Sequence, residues 1–495
     1  MKKTNEKIQL VIFSLLLFGF FTIFFVIMHP LVVFDTDDWD YIYSIRSIIP
    51  TWGNWNPAKL FPEIVMGIVS QIAATVLYPI TGDYINALTW GHGIFTSVVI
   101  SIYVLLFIKL IREKFKISSG VAIAYAILFV MLHFLIFRKY PSGNPYLFLA
   151  PNVTCYYNYT IPTLWNCICV MVLMRVENNE KLWKESTAIT KGVFYLFVYL
   201  CIFSNLFSSV ILMAYVGTKL LIALCKDLYG KSFSFTTYLV KNKGFLIVFV
   251  LWIIQQIFEM NGGRASSISY GNLWDGVIAT INALHQRIYG MNDWFIGTIL
   301  VILVLSIFFA VRNRREEEIK WILLEMGQVL VALVLAMLYL LLLCARASGG
   351  YISRCDVLIG PAFFGFLLVF MGITSITKKF PEMNAVIPIL IFALFCETNT
   401  MGNTFSDSNM GGLAAETCIE ISNDIVEQVK EADEQGAYSM KLYVPDFHTE
   451  DNWPIALYGG VSVSEALSKH GVIRQPIYIE IVPTMEKNKQ FHLSY

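Results

Sequence analysis

Ile8–Phe34, reading IQLVIFSLLLFGFFTIFFVIMHPLVVF, is followed at once by Asp35-Thr36-Asp37-Asp38-Trp39-Asp40-Tyr41. The first stretch is long enough to cross a bilayer as a helix, which takes roughly 20 apolar residues. Lys2, Lys3 and Lys7 precede it, as in a signal peptide. Two features argue for a retained span instead: the apolar run exceeds an h-region of about 7 to 15 residues, and no small-x-small cleavage pattern precedes Asp35. The boundary at Phe34 and Asp35 decides the fold, because a membrane helix ends there and a crowd of acids begins.

Outward from that boundary the pattern repeats. Hydrophobic residues make up 56% and charged residues 15% of the 495, too apolar a balance for an ordinary globular chain of this length. Only a helix or a closed barrel satisfies its backbone in lipid. The apolar runs are helix length and do not alternate, which excludes the barrel. Beyond Ile8–Phe34, candidate spans fall at Ile85–Ile111, Gly120–Phe137, Ile161–Val176, Gly192–Phe207 and Ser209–Cys225. Others follow at Gly244–Met260, Trp294–Val311, Trp321–Cys344, Val357–Ile376 and Ala385–Thr398, eleven in all. The expectation is an all-α polytopic membrane protein.

Lys and Arg are retained on the cytoplasmic side of short loops. With the N-terminus inside, the cytoplasmic segments and span ends hold 22 of the 36 Lys and Arg, the outer loops eight and the C-terminal tail six. Glu63–Ile80 is apolar enough to cross, yet counting it would put Arg112, Lys114 and Lys116 outside. It is therefore expected to lie against or dip into the outer face. The same charge argument divides Gly192–Cys225 into two spans joined at Ser204–Ser208. The transmembrane domain is then residues 1–398, with a first outer loop at 35–84. Residues 399–495 form a small extracytoplasmic α+β domain, with a helical acidic stretch at Glu416–Glu434 and strands at Met440–Val444 and Pro476–Val482.

The zero formal net charge and the lack of a basic tract interleaved with aromatics exclude nucleic acid as a partner. Neither a disulfide framework nor a metal-ligand spacing is visible. What remains is the acidic motif. Asp35, Asp37, Asp38 and Asp40 crowd into six residues, and mutual repulsion should raise at least one pKa. Such acids also suit a solvated helix N-terminus. In a functional role they would take a proton from an acceptor hydroxyl or hold a divalent cation. Trp52 and Trp55 follow, with Glu63, in a stretch whose indoles suit stacking on sugar rings as well as anchoring at a membrane interface. Arg346 and Arg354 flank a Gly-Gly turn between two spans, where a guanidinium can grip a phosphate through paired hydrogen bonds, snorkel to the interface, or pair with a nearby acid as Arg354 would with Asp356. Tyr157 and Asn158 complete the candidate substrate contacts, in a polar turn before a span.

The order of these features resembles the GT-C superfamily of membrane glycosyltransferases. The similarity is carried by Asp35-Thr36-Asp37-Asp38-Trp39-Asp40-Tyr41 after a retained first span, with Tyr156-Tyr157-Asn158-Tyr159 and Arg346–Arg354 as looser echoes. Within that superfamily the chain is similar to bacterial proteins that decorate cell-envelope polysaccharides or teichoic acids. The resemblance implies a sugar moved from a polyprenyl-phosphate carrier to an envelope polymer outside the cell. Asp37 or Asp38 would be the catalytic base and Arg346 or Arg354 the donor-phosphate clamp. Asp35, Asp40, Trp52, Trp55, Glu63, Tyr157 and Asn158 would bind substrate, and the need for a metal stays open.

Two other classes fit parts of the sequence. A transporter or flippase for a lipid-linked sugar would carry ionisable residues near mid-membrane and internal repeats. A non-catalytic scaffold binding wall polymer would account for the C-terminal domain alone.

Overall fold

The computed structural model describes residues 2–46, 58–178, 184–230, 234–260, 273–400 and 404–494. Trp52 and Trp55 lie outside the described residues, as do Lys181, Lys231 and Arg264. Among those described, nine helices are long and apolar enough to cross a membrane, from Glu6–Met28 to Cys355–Lys379, and three shorter apolar helices accompany them at Ser119–Leu135, Ala188–Ile202 and Pro381–Cys396. Eight of the eleven expected spans are among the nine; those at Gly120–Phe137, Gly192–Phe207 and Ala385–Thr398 fall on the three shorter helices, and Leu60–Thr81, not counted as a span from the sequence, is the ninth. The chain is a multi-pass membrane protein.

The first helix ends at Met28, six residues short of the Phe34 boundary expected from hydropathy. Pro30 supplies the reason: it has no N–H to continue the helix and disfavours helical geometry at the residue before it. His29 accordingly sits at φ −136° and ψ 66°. Leu31, Val32, Val33 and Phe34 continue as buried, irregular chain. Between Ala188–Ile202 and Leu206–Tyr229 the chain does break, as the charge argument required. Asn205 caps the second helix by accepting the Phe207 N–H at 2.9 Å.

Ion pairs collect the helix ends into two faces. On one, Arg112 meets Glu6, Lys114 meets Glu325, Arg175 meets Glu113, Lys219 meets Glu177 and Lys378 meets Glu318. The C-terminal domain occupies the opposite face. Its contacts there include hydrogen bonds from Ser422 to the Val33 carbonyl (2.9 Å), from Asn423 to Asp83 (3.2 Å) and between Ser406 and Asn144 (3.0 Å).

Both ends of Leu60–Thr81 belong to that domain face. Near its start, Arg46 donates to the Ala58 carbonyl (2.8 Å) and to Glu63 (3.1 Å), while Thr36–Ile42 packs on it and on the domain helix Gly460–Lys469. At its end, Gly82 turns the chain at φ 70° into Asp83, which Asn423 holds. The helix therefore lies across the domain face, although length and composition alone would let it cross.

The C-terminal domain is a β-α-β unit behind a long helix. Strands β1 (Ser439–Pro445) and β2 (Tyr478–Thr484) are parallel, in register from Ser439↔Tyr478 to Pro445↔Thr484. Leu442, Val444, Ile479 and Ile481 point inward while Lys441, Tyr443 and Glu480 point out, the period-2 alternation of a half-buried strand. Ala415–Glu434 buries Cys418, Ile421, Ile425 and Val429, one stripe at helical spacing. The expected helix and both strands are present, shifted by two residues or fewer.

Candidate functional site

The acidic motif folds into a short helix, Thr36–Ile42, with Asp35 as its N-cap residue in extended conformation. The motif does stand at a helix N-terminus, but two of its acids are buried rather than solvated. Asp35 accepts hydrogen bonds from the Asn152 side chain (3.1 Å) and the Met410 N–H (3.3 Å). Asp38 accepts from the Thr154 N–H (2.7 Å) and the Phe34 N–H (3.4 Å). Thr36 binds the C-terminal domain three times: its hydroxyl and its N–H both donate to the Pro454 carbonyl (2.9 and 3.0 Å), and its hydroxyl accepts from the Ala456 N–H (2.7 Å).

Burial is the main reason these carboxyls hold protons. It lifts Asp35 well above the usual carboxylate range, with the charge of Asp38 adding to it. It pushes Asp38 up to about 7, against the lowering effect of the Thr154 and Phe34 donors. Repulsion, the cause read from the sequence, comes second. Asp37 and Asp40 are exposed. Asp40 accepts a hydrogen bond from Ser462 (3.1 Å), and Asp37 stands close enough to Tyr458 of the C-terminal domain for its charge to act on that hydroxyl. Of the two candidate bases, Asp37 is exposed and Asp38 is buried and committed to the fold.

The Asp38 contact leads to a second place on the same face. Asn152 caps the helix that starts there, accepting the Cys155 N–H at 2.8 Å. The next turn, Tyr156–Thr160, is a π-helix, a widened turn often found at functional sites. Tyr157 is buried, its hydroxyl 2.9 Å from His92 Nδ1 and its ring stacked on Phe95. Asn158 donates back to the Thr154 carbonyl at 3.0 Å. Tyr159 instead places its ring 4.3 Å under the Arg354 guanidinium and lines a cavity.

That cavity has a volume of about 480 Å³ and is lined by Tyr159, Tyr351, Arg346, Lys59, Gln256 and Glu259, with Leu342, Leu343 and Met260 as part of an apolar wall. Arg346 is exposed to it and has no carboxylate partner among the described residues. Arg354 differs. Its fork is filled by the fully buried Asp356, at 3.0 and 2.5 Å, and its face covers Tyr159 and Tyr351. The helix end carrying Arg346 is fixed by a close crossing, where Gly276 of Leu273–Tyr289 lies so near that an added Cβ would come within 2.0 Å of the Ala345 carbonyl oxygen. Only glycine admits that approach.

No known protein family, curated protein or solved structure matches this chain. The structure brings Arg346 into the cavity and ties Asp35 and Asp38 into the framework beside it. Glu63 is engaged by Arg46, and Tyr157 and Asn158 are turned towards the protein. Among the described residues no group of three or more His, Cys, Asp or Glu side chains is placed to hold a metal ion. Sequence reasoning missed Gln256, Glu259, Tyr339 and Tyr351 as cavity residues. A carboxylate at the very end of the apolar run Gly244–Met260 was the signal available for Glu259.

Proposed function

We propose that this chain is a membrane glycosyltransferase that takes a sugar from a polyprenyl-phosphate carrier and passes it to an envelope polysaccharide or teichoic acid outside the cell. The observation that carries this reading is Arg346, a guanidinium without a carboxylate partner among the described residues, at one edge of a cavity with a wall of Leu342, Leu343 and Met260. A cation beside lipid-compatible surface suits a ligand with a phosphate head and an isoprenoid tail. About 480 Å³ falls in the usual range of small-molecule sites, about 300 to 1,000 Å³.

Transfer asks for a group that stabilises the departing phosphate and a carboxylate that deprotonates the acceptor hydroxyl. Arg346 serves the first and the exposed Asp37 the second. Asp35 and Asp38, buried and hydrogen-bonded, hold the turn on which Asp37 stands. The C-terminal domain, clasped to that turn through Thr36, forms the side from which the polymer approaches. The excess of Lys and Arg on the opposite face supports placing this site outside.

Deleting the gene and analysing the cell envelope tests this reading. A polymer that loses one sugar substituent and regains it with the wild-type gene, but not with an Arg346→Ala or Asp37→Asn gene, is the expected result. An unchanged envelope would contradict it.

A further inference from the structure

Besides Lys59, the cavity is lined by two charged side chains of opposite sign, Arg346 and Glu259, and neither of these two has an ion-pair partner among the described residues. Glu259 closes the helix Lys243–Met260, and Gln256 stands one turn before it, so the two share a face. The Tyr339 hydroxyl donates to Gln256 Oε1 at 2.8 Å, which fixes the amide and leaves its buried Nε2 with a proton-bearing edge and no acceptor. The result is an acceptor-only carboxylate beside an unsatisfied N–H donor.

That pairing selects a ligand. A vicinal diol meets both: one hydroxyl donates to Glu259 and the next accepts from Gln256. An ammonium group could satisfy Glu259 but would leave the Gln256 donor unpaired, a costly arrangement for a buried polar atom. We propose that Glu259 and Gln256 bind adjacent hydroxyls of the sugar whose phosphate Arg346 holds, and that Glu259 sets sugar selectivity. This rests on the donor reading of the cavity given above.

The test is binding to the purified full chain in lipid nanodiscs, by displacement of a fluorescent polyprenyl phosphate. The probes are bare polyprenyl phosphate, polyprenyl-phosphate glucose, galactose and mannose, and phosphatidylethanolamine. In the wild type at least one hexose ligand should bind more tightly than bare polyprenyl phosphate. Glu259→Gln should cut that advantage about tenfold or more, as expected for a hydrogen bond to a charged group, and leave bare polyprenyl phosphate unchanged. Glu259→Asp should keep part of the advantage, and Arg346→Ala should weaken all polyprenyl ligands alike.

Equal effects of Glu259→Gln on bare and sugar-bearing ligands would overturn the proposal, as would phosphatidylethanolamine competing in a Glu259-dependent way. If the wild type binds bare and sugar-bearing carriers equally, the donor cavity stands and this inference alone falls. If it binds neither, the donor reading fails and this inference with it.

Discussion

The Thr154 N–H donates to the Asp38 carboxylate across 2.7 Å, joining the acidic turn after the first span to the helix that carries Tyr159 into the cavity. One buried acid thereby sets the position of a cavity wall. Its partner Asp35 does the same for the C-terminal domain through Met410.

This contact has a pH signature. Folded Asp38 keeps its proton to about pH 7, whereas an unfolded aspartate releases it near about pH 4. Between those values the folded state binds more protons, so this group contributes stability that is lost as pH rises and is gone above about 7. His470, pushed down to about 4 by burial, works in the opposite sense below its ordinary value. The informative quantity is therefore the difference between wild type and Asp38→Asn. Thermal unfolding midpoints measured from acid to neutral pH should fall more steeply with pH in the wild type. Superimposable profiles would refute the assignment.

The two arginines should separate by stability. Arg354 neutralises the buried Asp356, and removing one partner of such a pair typically costs about 3 to 5 kcal/mol. Arg346 is exposed, and surface changes usually stay within about 0.5 kcal/mol. Unfolding of purified variants should show Arg354→Ala severely destabilised and Arg346→Ala near wild type. Equal losses would mean that Arg346 also belongs to the framework.

Glycine positions give a geometric control. A Cβ at Gly276 would meet the Ala345 carbonyl oxygen at 2.0 Å, while one at Gly297 meets nothing within 4 Å. Gly276→Ala should displace the helix end bearing Arg346, lowering both the unfolding midpoint and carrier binding. Gly297→Ala should be neutral or stabilising by up to about 1 kcal/mol. A harmless Gly276→Ala would show that the crossing is looser than drawn.

Sidedness follows from the helix ends. A reporter fused after Tyr495 should be active outside the cytoplasm, and one placed between Arg312 and Lys320 active inside. The inverted pattern, with the reporter after Tyr495 active inside and the one between Arg312 and Lys320 active outside, would mean that Leu60–Thr81 crosses the membrane or that the pair of helices around Asn205 does not.

Much of the fold was legible because lipid imposes local rules. Apolar length located the helices, and charge counting divided Ala188–Ile202 from Leu206–Tyr229 and held Leu60–Thr81 to one face. Period-2 and helical patterns found β1, β2 and Ala415–Glu434. The site was legible only in part. The acids at Asp35 to Asp40 stood out by crowding, but which were buried depended on Asn152, Thr154 and Met410, far away in sequence. Asp356, two residues beyond Arg354, was already legible as a partner and does fill that fork, but nothing local showed that Arg346 would face a cavity. Gln256 and Glu259 sit at the end of an ordinary apolar run, and only the cavity they share with Tyr339 and Arg346 gives them a role.

Sugar transfer itself is the most direct test. Purified chain in vesicles, given polyprenyl phosphate bearing a labelled hexose and isolated envelope polymer, should move label into the polymer. Arg346→Ala and Asp37→Asn should each lower that rate while folding normally; loss of a general base typically costs about 100-fold to 10,000-fold. Transfer that proceeds at wild-type rate in both variants, or no transfer by the wild type from any polyprenyl-phosphate hexose, would contradict the proposed function.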